Sequence, residues 1–365
     1  MRGGVQSGLT KRSWSAVEGD ASRRAFCLCC LGLLAGTMPL ASRAQPDPGK
    51  PPASLPAPLA DHHLHIQGPE ITAALKKVVA RDSSILGQTS AEVLNPRTGA
   101  DVLRLMDAAG IHKGVLLSEA YMFGSPLFAP DKPDVAALTR AENAFNVAEA
   151  KQSGGRLVAF IGVDPISPTA LPEIEHWSGH GAAGVKLHLA NSFFDFGAPA
   201  QIDQLRDVFA SAKAHRLPMI IHLRNRQQWG AAQANAFIDQ ILPAAEGLPV
   251  TIAHGAGWGS LDAPTTEALD AFAGAIAAKK PGTANLSFDL AVLVVPWTKP
   301  DDPARFVEAA RRVGLERWQF ASDWPAKFTP GEHLDFLAKT LPFAADEWRQ
   351  IAAHTAPYLP HTRQA

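Results

Sequence analysis

Arg216-Leu217-Pro218-Met219-Ile220-Ile221-His222 and Gly247-Leu248-Pro249-Val250-Thr251-Ile252-Ala253-His254 follow one plan. A proline closes a helical segment, a short apolar run follows without interruption, and a histidine ends the run. Runs with no polar alternation suit strands covered on both faces, as in a parallel sheet. Working outward, similar runs occur at Ala60–Ile66, Gly114–Ser118, Leu157–Asp164, Ala183–Leu189, Met219–Leu223, Val250–His254, Ala284–Leu290 and Trp318–Ser322. One residue near the end of each serves as a marker: His65, Ser118, Pro165, His188, His222, His254, Asp289 and Asp323. The last four intervals are 34, 32, 35 and 34 residues, the length of one strand–helix unit. Helical spacing fills the gaps at Asp134–Ser153, Ala200–His215, Trp229–Glu246, Pro264–Lys280 and Asp302–Val313. Eight such units predict either a closed (β/α)8 TIM barrel or a doubly wound open sheet. No Gly-rich phosphate loop follows an early strand, so the nucleotide-binding open sheet loses support and the barrel is expected over residues 60–360. The first interval, His65 to Ser118, is longer at 53 residues and predicts an insertion after the first strand, roughly Gln67 to Ala100, acting as a lid.

The chain has 365 residues, and a single barrel commonly takes roughly 250. Lys plus Arg number 34 against 35 Asp plus Glu, a net charge of -1. Neither a nucleic acid nor an anionic membrane surface finds a field to bind, so nucleic-acid partners are not expected. The surplus before residue 60 reads as targeting sequence. Ser22-Arg23-Arg24-Ala25-Phe26 precedes an apolar run, Cys27 to Leu40, and then Ala41-Ser42-Arg43-Ala44 places small residues where a signal peptidase cuts. The paired arginines resemble a twin-arginine export signal. A membrane anchor is the alternative, but the run falls short of the roughly 20 apolar residues a span needs. Residues 1–44 are therefore expected to be a signal peptide read by the twin-arginine machinery, and 45–59, rich in Pro and Ala, a linker. The mature protein would be periplasmic or secreted, with no membrane attachment. All three cysteines (Cys27, Cys29, Cys30) fall inside this leader, so the mature chain would hold no disulfide or thiolate ligand. A lipid-modified cysteine is a weaker alternative.

The histidines, 13 in all, then draw the eye to the ends of the runs. His63 and His65, two apart, point to one face of a strand, about 6–7 Å apart along it, and can chelate one ion. His222, His254 and Asp323 each end another run. Singly, each reads as a polar residue leaving a strand for solvent. Together they deliver, from several strand ends, ligand types that suit zinc and related divalent ions. The C-terminal strand ends of a barrel meet at one place.

This pattern resembles the amidohydrolase superfamily, in its amidohydrolase-2 branch. The resemblance spans roughly 60–360 and is carried by His63-x-His65, Gly184-Val185-Lys186-Leu187-His188, His222, His254 and Asp323. It implies that His63, His65, His222 and Asp323 bind a divalent ion, expected to be zinc, which activates a water. It implies that Asp323 takes a proton from that water and passes it to the leaving group. His254 would polarise the substrate carbonyl or hold a second metal. Lys186 has two readings: a carboxylated bridge between two ions, as in two-metal relatives, or an ion pair with Asp323 or substrate. His188, on the same strand face, is a further candidate ligand. His62 precedes the pair where many relatives carry a small or aliphatic residue, and His354 stands where they often have an asparagine.

The substrate is expected to be a small molecule. Arg224, two past His222, suits a substrate carboxylate, while Arg226 reads as a surface salt-bridge residue. Trp258 and Trp324 are candidate walls for a ring, with Phe193, Phe194 and Trp297 also following strands. The expected reaction is hydrolysis of a C–O or C–N bond in a lactone, ester or amide. The alternatives are non-oxidative decarboxylation of an aromatic or unsaturated acid, and a binding protein without turnover. Assembly into a homo-oligomer stays open.

Overall fold

The computed structural model describes residues 55–83, 94–128, 134–258, 262–291 and 299–359. The expected signal peptide, residues 45–54 of the expected linker and Trp297 lie outside them. Eight strands run in chain order around one parallel sheet: β1 Ala60–Leu64, β2 Lys113–Leu117, β3 Leu157–Gly162, β4 Gly184–His188, β5 Met219–His222, β6 Val250–Ile252, β7 Leu286–Asp289 and β8 Trp318–Gln319. Beyond β8 the chain turns back along β1. Phe320 O accepts His62 N–H at 3.1 Å, His63 O accepts Asp323 N–H at 2.8 Å, and Trp324 O accepts His65 N–H at 2.7 Å. A parallel bridge pairs Leu64 with Trp324. These contacts close the sheet into the barrel that the eight units predict.

The strands form where apolar side chains are needed on both faces. In β4, Val185 and Leu187 pack outward under the helices, while Lys186 and His188 alternate inward. The middle of the barrel is a small polar layer: Gln319 Nε2 donates to Thr251 Oγ1 at 3.1 Å and to Ser287 Oγ at 2.7 Å. Val115, Leu117, Phe160, Ile220 and Ala253 form an apolar cluster of their own, which Leu359 joins.

The helices alternate with the strands: α3 Val135–Gln152, α4 Ala170–Ser178, α5 Pro199–Ala214, α6 Ala231–Gln240, α7 Ala263–Ala277 and α8 Asp302–Val313. They are preceded by α1 Pro69–Arg81 and α2 Gly99–Ala108, and followed by α9 Pro330–Thr340 and α10 Ala345–Ala353. Among the described residues the β1–β2 connection thus holds two α-helices where the other strand-to-strand connections hold one. Helix α1 packs with Tyr121, Met122 and Phe123, the turn after β2, in an apolar cluster of its own beside the barrel mouth. Among the described residues no helix is long and apolar enough to cross a membrane.

Candidate metal centre

Strand β1 does not run regularly. Its register against β2 shifts between Asp61 and Leu64, the stretch that carries His63. The Nε2 atoms of His63 and His65 end 3.2 Å apart, far closer than the strand rise alone would place them. Asp323 Oδ1 lies 3.3 Å from His63 Nε2 and 3.2 Å from His65 Nε2. His254 joins this group: ligand atoms of His63, His254 and Asp323 lie within 4.8 Å of one another, all buried. Neither His254 nor Asp323 sits on a strand. Each follows one, with φ of 57°, the left-handed region that costs a non-glycine residue about 1–3 kcal/mol.

Each ring is oriented from behind. His63 Nδ1 donates to Asp289 Oδ2 at 2.9 Å, and His65 Nδ1 donates to Leu117 O at 2.7 Å. His254 Nδ1 faces Ala291 O at 3.3 Å, and its backbone N–H donates to Asp289 Oδ1 at 2.7 Å. With the Nδ1 protons of His63 and His65 committed, their Nε2 lone pairs face inward. Burial, then the Lys186 ammonium, drives the His63 pKa well below its ordinary value, and burial also lowers His254. Burial opposes the charge of Asp323, yet the surrounding imidazoles of His63, His65 and His254 outweigh it and hold the carboxyl at about 2.

The donor set fits a divalent cation. Two imidazole nitrogens and a carboxylate oxygen crowd within 3.3 Å of one another. Lys186 Nζ, 3.0 Å from His63 Nε2, is the nearest positive group. His222 closes β5 with its ring centroid 4.7 Å from that of His254. Both its nitrogens are buried and lack a partner among the described residues, a situation that ligation of one nitrogen would relieve.

A family model described as Amidohydrolase matches residues 60–357. The chain belongs to the amidohydrolase family. Members of this family are metal-dependent enzymes, and the buried His–His–Asp centre agrees with that. The amidohydrolase fold is shared with several solved structures. Against 5-carboxyvanillate decarboxylase from Sphingomonas paucimobilis the TM-score is 0.56 at 15% identity, over 81% of this chain and 97% of the other. The same enzyme from Novosphingobium aromaticivorans, complexed with manganese and 4-hydroxy-3-methoxy-5-nitrobenzoic acid, gives 0.54 at 12% identity, over 81% and 93%. A probable 2-pyrone-4,6-dicarboxylic acid hydrolase from Acinetobacter baumannii, with citric acid bound, gives 0.50 at 15% identity, over 80% and 95%. No curated protein matches the chain.

Around the centre of this amidohydrolase, other expected residues fall into distinct places. Trp258 stands edge-on to His222, with centroids 5.3 Å apart. The Trp324 ring is covered by the Arg97 guanidinium at 5.3 Å, and Arg97 also donates to Gln67 Oε1 at 3.0 Å. Arg224, expected to face substrate, pairs with Asp262 at 2.9 Å, the residue that caps α7. Strand β5 stops at His222, so strand alternation no longer governs two residues on. Arg226, expected at the surface, is half-buried, lies over the Phe193 ring at 4.4 Å and adds its positive charge to the surroundings of His188. His62 holds the fold together: its ring bonds Phe320 O at 2.9 Å and accepts Ala356 N–H at 3.2 Å, tying β1 to the end of the chain.

Sequence reading missed three buried carboxylates. Asp289, used only as a strand-end marker, orients both His63 and His254. Asp61 accepts the backbone N–H groups of His63 and Ser322, and burial pushes its carboxyl to about 7. Glu119 follows β2, accepts from Gln67 Nε2 at 3.1 Å and is raised by burial. The available signal was position: each acid adjoins a buried strand, where an unpaired carboxylate would be costly.

Proposed function

We propose that the protein is a zinc-dependent hydrolase that opens a C–O bond, such as that of a lactone, in a small carboxylate-bearing substrate with a planar or aromatic ring. The observation that carries this reading is the placement of Asp323 and His254 in one buried cluster, their ligand atoms within 4.8 Å of each other. Hydrolysis needs both a group that takes a proton from water and a donor or polariser at the carbonyl, whereas decarboxylation needs one proton delivered to carbon. Asp323 and His254 fill the two hydrolytic roles.

His63, His65, His222 and Asp323 would hold the ion, and a divalent ion there supplies Lewis acidity to water and to a carbonyl oxygen. Asp289 keeps the His63 lone pair inward. Asp323 accepts the proton from attacking water and returns it to the leaving oxygen. His254, carrying a proton on Nε2, would support the carbonyl oxygen as negative charge gathers on it. Lys186, buried with its Nζ 3.0 Å from His63 Nε2, would balance the carboxylate charge as an ammonium. Tyr121, beside His188, and Trp258, beside His222, supply apolar ring surface for a flat substrate. From the leader sequence we also infer export through the twin-arginine pathway to the periplasm or beyond.

Incubation in ¹⁸O-water tests the reaction. With 2-pyrone-4,6-dicarboxylate as a first lactone, label in the product acid supports the reading. Release of CO2 from 5-carboxyvanillate, with no label entering the product, would replace it with decarboxylation. Metal analysis of the purified protein checks zinc, and one ion per chain is expected.

A further inference from the structure

His188 is absorbed neither by the ion-binding cluster nor by ordinary packing. It is buried on the inward face of β4. The backbone N–H of Asn191 is shared between His188 O at 3.1 Å and His188 Nδ1 at 3.2 Å, and an accepting Nδ1 puts the proton of the neutral ring on Nε2. That Nε2–H has no acceptor among the described residues. The side-chain amide of Asn191, buried on the same turn, is likewise unpartnered at both its oxygen and its nitrogen. Buried polar atoms are almost always paired, so unpaired ones beside a reactive centre point to a polar ligand.

The ring's posture decides what kind of ligand. His188 stacks on His222 with centroids 4.0 Å apart and planes 10° from parallel. An ion bound by an imidazole lies in the ring plane, about 2.0–2.1 Å from the nitrogen. Two nearly parallel planes stacked at this spacing share no such point. An ion held by His222 is therefore out of reach of His188 as a ligand. What His188 offers on that side is one N–H donor. Arg226 stands nearby, its Nε donating to Ala190 O at 2.5 Å, two residues beyond His188 in the chain.

We propose that His188 is a substrate-binding residue and not a metal ligand: its Nε2–H donates to a carboxylate or carbonyl oxygen of the substrate beside the ion. The substrate class rests on the hydrolase reading above; the tautomer and the exclusion from the metal rest on geometry alone.

Two measurements separate these. The first is long-range ¹H–¹⁵N NMR on histidine-labelled protein loaded with Zn²⁺, with the His188 signals assigned from a His188→Gln variant. A proton on Nε2 and a bare Nδ1, both unchanged by zinc, are expected. Loss of the Nε2 proton on zinc loading would make His188 a ligand and overturn the proposal. The second compares His188→Phe, which keeps the stacked ring and deletes the donor, with His188→Gln, which restores one. His188→Phe should keep the zinc stoichiometry and weaken binding of the probe 2-pyrone-4,6-dicarboxylate on the order of 10-fold or more, as loss of a hydrogen bond to a charged group does. His188→Gln should recover part of that loss. Unchanged probe affinity in His188→Phe, or lost zinc, overturns the proposal. If the wild type binds no carboxylate probe while His188 keeps its Nε2 proton and His188→Phe its zinc, the substrate class falls and the exclusion from the metal stands.

Discussion

Asp289 Oδ2 accepts the Nδ1 proton of His63 at 2.9 Å, and the bond aims the opposite nitrogen of that ring at Asp323. An amide in place of the carboxylate keeps the shape and loses the charge. Asp289→Asn should weaken zinc affinity about 10- to 100-fold, the usual cost of disturbing a ligand's supporting partner. Competition against a fluorescent chelator measures this. Unchanged affinity would remove Asp289 from the account of the site.

Metal removal should be visible as lost stability. Binding confined to the folded state stabilises by about 2.7 kcal/mol at a free ion concentration 100 times Kd. Dialysis against a chelator should lower Tm, and returning zinc should restore it. His63→Ala should abolish both the metal content and the zinc-dependent part of Tm, read by elemental analysis and calorimetry.

Acid should weaken the fold through His333. This ring on α9 is fully buried, its Nε2 donates to Leu290 O at 3.0 Å, and Nδ1 has no partner among the described residues. Burial pushes its pKa from 6.5 down to about 4. The unfolded chain therefore binds the proton first as pH falls. The stability His333 contributes is complete above about 6.5 and drains away as pH drops towards 4. In urea titrations the stability gap between wild type and His333→Phe should narrow across that window. A gap that is constant with pH would contradict the assignment.

Arginine substitutions should part company. Arg224 is committed to Asp262 at the start of α7, whereas Arg226 lies over Phe193 near His188. Arg226→Gln should raise KM for a carboxylate substrate at least severalfold. Arg224→Gln should instead lower Tm by a few degrees with little change in KM. The reverse outcome would return Arg224 to the substrate side.

Gly184 begins β4 where an added Cβ would meet the Phe160 ring and, at 2.5 Å, Pro218 O of the neighbouring strand. The backbone oxygen cannot yield without parting the strands. Gly184→Ala should cost at least about 1–3 kcal/mol in denaturant unfolding.

The barrel was legible because its strands are written as uninterrupted apolar runs at a regular interval, and each of the eight runs contains or overlaps an observed strand. Helices were legible where long: Asp302–Val313 appears as read, but α4, nine residues after Pro168, gave too short a pattern to single out. The gathering of His63, His65, His254 and Asp323 could be anticipated from strand ends alone. Their orientation could not. His254 and Asp323 take left-handed turns past the strands, and β1 shifts register at His63, none of which period-two alternation expresses. Arg224 and Arg226 lie past the end of β5 at His222, where strand alternation no longer says which way a side chain points.

The seam of the cylinder is stitched by Asp323 N–H to His63 O and by His65 N–H to Trp324 O, so three of the four assigned ligands belong to the stitch itself. A cation gripping their side chains would act as a clasp on the last two staves. Parting those staves would undo the grip, and slow amide exchange at His65 and Asp323 should appear and vanish together with the ion.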